Sequence, residues 1–290
     1  MVFPLSIKVA LATLGMFMLT GGSSSARTYT FSSEEQFSDE FVRSGQDVFA
    51  YSATGGMGGT GGVVTKSGTA SSARSYLTTN ETFTADTNIT LSVNFQWSTA
   101  NLATGDVIVI GFGAAGAGDT SFQPYAGNNG TSSGTNADEL HLGLSVTGVA
   151  NQIRFTGSAL VSGTLENFIS NSLTYQTLTA GQWYLLEANF VLNDDQTGFH
   201  LNVGLFEANA DGSKGDTIYV WTAPSKINPN LVGSTAHAYM MSRLGYYSGV
   251  SAIDNFYVST LPDPIPEPSM ASAVVLGLGA LTWFARRRKA

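Results

Sequence analysis

Residues 88–98 alternate with a strict period of two. Ile89, Leu91, Val93, Phe95 and Trp97 fall on one side, and Thr90, Ser92, Asn94, Gln96 and Ser98 on the other. A helix would scatter these apolar residues around its axis, whereas a strand gathers them on one face and leaves the other for polar contacts. The same alternation recurs at 139–147 through Leu140, Leu142, Leu144 and Val146, and at 198–205 through Phe199, Leu201, Val203 and Leu205. Further strands are predicted at 106–112, 152–156, 183–192, 217–221, 237–246 and 253–259. Clusters of Gly, Asn, Asp and Ser separate them, the residues that turns require. No long apolar stripe of period 3.6 lies between the two ends of the chain. One-sided strands joined by turns predict an all-β fold, an antiparallel jelly-roll β-sandwich.

Composition narrows the function classes. The 290 residues are 43% hydrophobic, enough for a sizeable core, and only 12% charged, about half the common share of ~25%. With 13 Lys and Arg against 21 Asp and Glu, the net charge is −8, which lacks the basic footprint of a nucleic-acid binder. There is no Cys, which excludes disulfides, zinc–thiolate sites, thiol nucleophiles and a lipidated N-terminal Cys.

The two ends carry their own signals. Lys8, an apolar run at 9–20 and small residues at 21–26 predict a secretory signal peptide over 1–26, with Ser24 and Ala26 at positions −3 and −1 of the cleavage site. At the other end, Pro262, Pro264, Pro266 and Pro268 make 261–268 an extended linker. The uncharged run 269–285 then just reaches the length of a transmembrane helix, and Arg286, Arg287, Arg288 and Lys289 form a basic cytoplasmic tail over 286–290. That orientation places residues 27–260 outside the cytoplasm. Without its two ends, over 27–264, the body keeps 8 basic and 20 acidic residues, a formal charge of −12.

Ile265-Pro266-Glu267-Pro268-Ser269, the apolar run and Arg286-Arg287-Arg288-Lys289, in that order, resemble the PEP-CTERM sorting signal of Gram-negative bacteria. The resemblance covers about the last 27 residues. It implies recognition by an exosortase, processing near Pro266, Glu267 and Pro268, export through the Sec pathway, and an association with exopolysaccharide and biofilm matrix. Before processing, the chain would be held in the membrane by its C-terminal helix.

The body carries a second resemblance. Trp183-Tyr184-Leu185-Leu186-Glu187, the stretch 201–212 ending in Asp211-Gly212, and Ala252-Ile253-Asp254-Asn255-Phe256-Tyr257-Val258 are similar to the strands of concanavalin A-like lectin/glucanase sandwiches, laminin-G-like modules included. That resemblance implies one domain over 27–260, with the last strand pairing near the first.

Motifs that carry chemistry are sparse. Gly56-Met57-Gly58-Gly59-Thr60-Gly61 has the G-x-G-x-x-G spacing but no following helix, so it reads as a flexible loop rather than a dinucleotide site. Gly130-Thr131-Ser132-Ser133-Gly134 has the serine-elbow spacing inside a polar surface stretch. Glycoside hydrolysis needs two carboxylates flanking one bond, and the Glu-x-Asp-x-x-Glu spacing of sandwich glucanases is absent. Asp211 and Asp216 lie in an oxygen-rich turn that is a calcium candidate, although Asp211-Gly212 is also an ordinary hairpin turn. No other cofactor is expected. His141, His200 and His237 are too far apart in sequence to define a zinc site. Sugars are held by flat rings beside amides and carboxylates. The polar strand faces offer Asn94, Gln96, His141, His200 and Asn202, with rings from Tyr219, Trp221, Tyr246 and Tyr247. Within that set, Trp221, Tyr246, Tyr247, Asn94 and His200 are the candidate glycan contacts. The expected function is an exported, exosortase-sorted surface or matrix protein, not an enzyme, with extracellular polysaccharide as partner. A glycan-cleaving enzyme of the same fold and a purely structural or adhesive protein stand as alternatives.

Overall fold

The structure, a computed structural model, describes residues 25–45, 49–65, 75–98, 104–113, 138–162, 164–169, 175–224, 226–227, 229–242 and 249–261. Residues 1–24, the Pro266-Glu267-Pro268 motif, the apolar run and the basic tail lie outside the described residues, as do Tyr246, Tyr247 and 130–134. Among the described residues no helix is long and apolar enough to cross a membrane.

In chain order the elements are β1 (Ala26–Tyr29), α1 (Glu34–Asp39), β2 (Phe41–Gly45), β3 (Phe49–Ser52), β4 (Gly62–Thr65), β5 (Ser75–Thr79), β6 (Phe83–Thr84), β7 (Ile89–Trp97), β8 (Thr104–Gly113) and β9 (Glu139–Thr147). There follow β10 (Gln152–Val161), β11 (Thr164–Ile169), β12 (Gln176–Thr177), β13 (Trp183–Leu192), β14 (Phe199–Ala208), β15 (Lys214–Thr222), β16 (Thr235–Ser242) and β17 (Val250–Ser259). They form two antiparallel sheets. The first runs β15-β14-β13-β7-β17-β4-β3 with β1 paired to β17; the second runs β11-β10-β9-β8-β16-β5-β2 with β12 on β10 and β6 on β16. The first strand therefore lies beside the last, Ala26 opposite Ser259 and Tyr29 opposite Phe256. Ala26, the last residue of the expected signal segment, already sits in this ladder.

Period-two alternation builds the sandwich directly. The apolar set of β7 and the core-facing residues Leu186, Ala188 and Phe190 of β13 all turn inward and are buried. From the second sheet they meet Ile108, Ile110 and Phe112 of β8, Leu140, Leu142 and Leu144 of β9, and Phe155 of β10 in one continuous core. Trp97 is fully buried, and its indole N–H donates to Asn151 Oδ1 at 3.3 Å, so its polar atom is satisfied.

Short elements with little periodicity close one end. Ser33 caps α1 by accepting from the Gln36 N–H at 3.0 Å, while Gln36 Oε1 reaches back to the Ser32 N–H at 2.9 Å, a reciprocal capping arrangement. This fixes the six-residue helix so that Phe37 packs edge-on against Phe31, which stacks on Phe41, and Tyr29 joins the cluster beside Phe41 and Phe256. Arg27 ties the same end together. Its guanidinium donates to Glu40 and, at 2.6 Å, to Glu81, and it lies over the Tyr29 ring.

The Gly-rich stretch is a packed turn rather than the loose loop its composition suggests. Met57 is buried, its N–H donates to Asp254 Oδ2 at 2.9 Å, and Gly56 N–H donates to the Thr60 carbonyl at 2.8 Å. Gly56 has no room for a side chain, because a Cβ would lie 2.1 Å from the Gly61 carbonyl oxygen. A strand, β4, follows it, so the helix that a dinucleotide site needs is replaced by a hairpin partner.

Candidate functional site

The outward faces of β7, β13, β14 and β15 form a polar surface whose rows are fixed by register. One row runs Thr90, Asn189, Asn202, Thr222, each opposite the next across a strand boundary. The neighbouring row runs Ser92, Glu187, Gly204, Val220. With strands about 4.8 Å apart, four such positions cross roughly 14 Å of sheet. Gly204 leaves a dip in the second row, and a groove of about 570 Å³ opens there, lined by Glu187, Asn189, Asn202, Val220 and Thr222 among others.

The β14–β15 hairpin bounds the groove at one end. Its tip folds back across the sheet, and Asn94 of β7 donates from Nδ2 to the Gly212 carbonyl at 3.1 Å. Gly212 has φ +83, and a Cβ there would strike Asn255 at 2.5 Å, so a glycine is required on both counts. Lys214, at the start of β15, bonds Glu187 at 2.7 Å and lies 5.0 Å over the Phe206 ring. Phe206 in turn lies against Gly204 and is itself nearly buried. The Glu187 charge is thus compensated by Lys214. Asn189 Oδ1 is buried and has no hydrogen-bond partner among the described residues.

The sequence-derived contacts are divided by the fold. Asn94 is buried and spent on holding the hairpin. His200 is half-buried on the outer face, opposite Val191 and one alternation from Asn202. Trp221 pairs with inward-facing Val203 and packs against the core while contributing to the groove wall. Tyr219 also turns inward and stacks on Phe155, centroids 4.9 Å apart. Asn189, Glu187 and Gly204 were not singled out as glycan contacts; their signal was alternation within β13 and β14, but only register shows them adjacent.

Asp211 accepts from the N–H and hydroxyl of Ser213 at 3.0 and 2.6 Å, which holds its carboxyl below the usual range. Asn209 donates to Ser213 Oγ and the Lys214 carbonyl. These bonds account for the turn by itself, and among the described residues no group of three or more His, Asp and Glu side chains converges as a metal site. In the turn after β13, Lys226 and Thr197 bring the exposed Asp195 carboxyl down to about 2.

His141 belongs to the other sheet. There Tyr239 O–H donates to Glu139 Oε1 at 3.1 Å, and His141 Nδ1 lies 3.2 Å from the same oxygen. All three are buried, and burial pushes the Tyr239 phenol well up. The Tyr239 ring crosses β8 at Gly111, where a Cβ would lie 2.2 Å from it. Asp138 is separate, accepting from the Ser162 N–H at 2.6 Å and the Asn230 N–H at 2.7 Å.

No protein-family model matches this sequence, and no curated protein matches it either. Solved structures do. The lectin UEA-II, complexed with galactose, superposes with a TM-score of 0.50 at 11% identity, covering 81% of this chain and 97% of that one. The fold is lectin-like. The exoplasmic/lumenal domain of VIP36, in a Ca2+/Man3GlcNAc-bound form, gives 0.47 at 10% identity over 84% of this chain and 92% of that one. A carbohydrate esterase from the Shiga toxin-encoding bacteriophage phi24B gives 0.44 at 12% identity over 80% and 96%.

Proposed function

We propose that this lectin-like sandwich is a non-catalytic carbohydrate-binding protein, and that the Gly204 groove is its binding site. The observation that carries the reading is the row Thr90–Asn189–Asn202–Thr222, whose two asparagines and Thr222 line the groove. Sugars present dense hydroxyls to such amide rows. Among the described residues lining the groove, Glu187 is the sole carboxylate, and Lys214 holds it. Hydrolysis of a glycosidic bond needs a second carboxylate across the bond, so the arrangement favours binding over cleavage.

Export, exosortase sorting through Pro266-Glu267-Pro268 and a place on the cell surface or in the extracellular matrix complete the proposal. Their support is the sequence of the two ends. Calcium enters as an experimental arm, since Asp211 and Asp216 lie in the hairpin that bounds the groove.

The test is a glycan array probed with the purified chain, with calcium and with chelator. Asn189→Ala and Asn202→Ala should each lower affinity about tenfold or more for whatever the wild type binds, with melting temperature unchanged. Binding that both variants retain in full would move the site elsewhere.

A further inference from the structure

We infer that the Gly204 groove selects an uncharged glycan bearing acetamido groups. The inference rests on the carbohydrate-binding reading above and adds its substrate class. Three observations converge. First, the groove is electrically balanced, Glu187 being paired with Lys214 at 2.7 Å, while the sequence as a whole carries −8. A polyuronate or sulfated chain would meet long-range repulsion and find no uncompensated cation among the described lining residues. Second, Val220 is 59% exposed, directly opposite Gly204 and next along β15 to Thr222. An exposed valine beside a side-chain-free dip offers a methyl-sized apolar seat. Third, the seat adjoins complementary amide chemistry. Asn189 and Asn202 face each other across β13 and β14 and both line the groove, and an asparagine amide can accept from an acetamido N–H and donate to an acetyl carbonyl. Methyl, carbonyl and N–H are the three parts of an acetamido group, and the groove holds a counterpart for each.

The experiment compares four probes on the purified full chain by calorimetry: chitooligosaccharides, cello-oligosaccharides, deacetylated chitosan oligosaccharides and oligomeric polyuronate. Chitooligosaccharides should bind at least about tenfold more tightly than the other three. Val220→Thr keeps the β-branched shape and the exposed strand position but replaces one methyl by a hydroxyl, and it should reduce that preference severalfold. Asn189→Ala should weaken the chitooligosaccharides most. Equal binding of the cello- and chito-series, preference for the polyuronate or the deacetylated probe, or a preference unmoved by Val220→Thr would each overturn the acetamido inference and leave carbohydrate binding standing. Absence of binding to all four probes and to the glycan array would overturn both.

Discussion

Asp254 and Met57 are 197 residues apart in sequence and joined by one hydrogen bond, the Met57 N–H donating to Asp254 Oδ2 at 2.9 Å. The other carboxylate oxygen accepts from the Asn255 N–H at 2.7 Å, and Asn255 takes φ +48 at an irregularity in the β17 ladder. One buried side chain thus fixes both the Gly-rich turn and the bulge on the outer face of the first sheet, directly opposite Asn94. The turn and the β14–β15 hairpin meet there, Asn255 contacting both Met57 and Gly212.

Burial raises the Asp254 carboxyl above its usual range, against the opposing pull of its Met57 and Asn255 hydrogen bonds. The folded state therefore holds this proton to higher pH than the unfolded chain does, and stability from this group is present at low pH and lost as pH rises through the folded value. Asp254→Asn should remove that slope above about pH 4. It should also cost about 1–3 kcal/mol, because one of the two acceptors becomes an N–H₂ facing a donor. Thermal melts of wild type and variant from pH 4 to 7 check both; a parallel pH dependence would refute the assignment.

Gly56→Ala tests the packed turn. The new Cβ would lie 2.1 Å from the Gly61 carbonyl oxygen and 2.7 Å from Asp254 Oδ2, both held in place. The turn must open, at a cost of at least about 2 kcal/mol by chemical denaturation. Gly58→Ala, where a Cβ meets nothing but φ is +65, should cost only about 1 kcal/mol.

Asp138 clamps the β10–β11 turn to the segment before β16. It accepts from the Ser162 and Asn230 N–H groups and is nearly buried. Asp138→Ala leaves two backbone donors without this partner and should destabilise by about 2–4 kcal/mol in urea melts, without reaching the groove. A change below about 0.5 kcal/mol would mean that water replaces the carboxylate at no cost.

Gly204→Ala separates groove shape from fold. Its Cβ would meet the Phe206 ring at 2.5 Å, pushing a side chain rather than backbone. Stability should fall by about 1–2 kcal/mol, and glycan affinity by tenfold or more, because methyl and displaced ring together fill the dip. Unchanged affinity on the array would show that the ligand does not enter the groove.

Most long strands were legible because a half-buried strand must alternate. The strand predicted at 88–98 is β7, and those at 139–147 and 183–192 coincide with β9 and β13. The small strands β2 to β6 and helix α1 were not legible, since they are too short for periodicity; α1 and β2 are held by the Phe31, Phe37 and Phe41 cluster. The polar residues of a sugar-binding face could be named, but not sorted. Alternation says which residues share one face of one strand; it cannot say which strand lies beside which.

The sequence by itself determined the two-layer β architecture, the acidic and cysteine-free chemistry, and the inward side of β7, β9 and β14, because these follow from local pattern and composition. Only the tertiary structure decided that His141 lies on one sheet and His200 on the other, that Trp221 and Tyr219 turn toward the core, and that Asn189, Asn202 and Gly204 meet at one groove. Those outcomes depend on strand order and register. Both are set when distant apolar faces find one another, and register fixes every cross-strand neighbour at once.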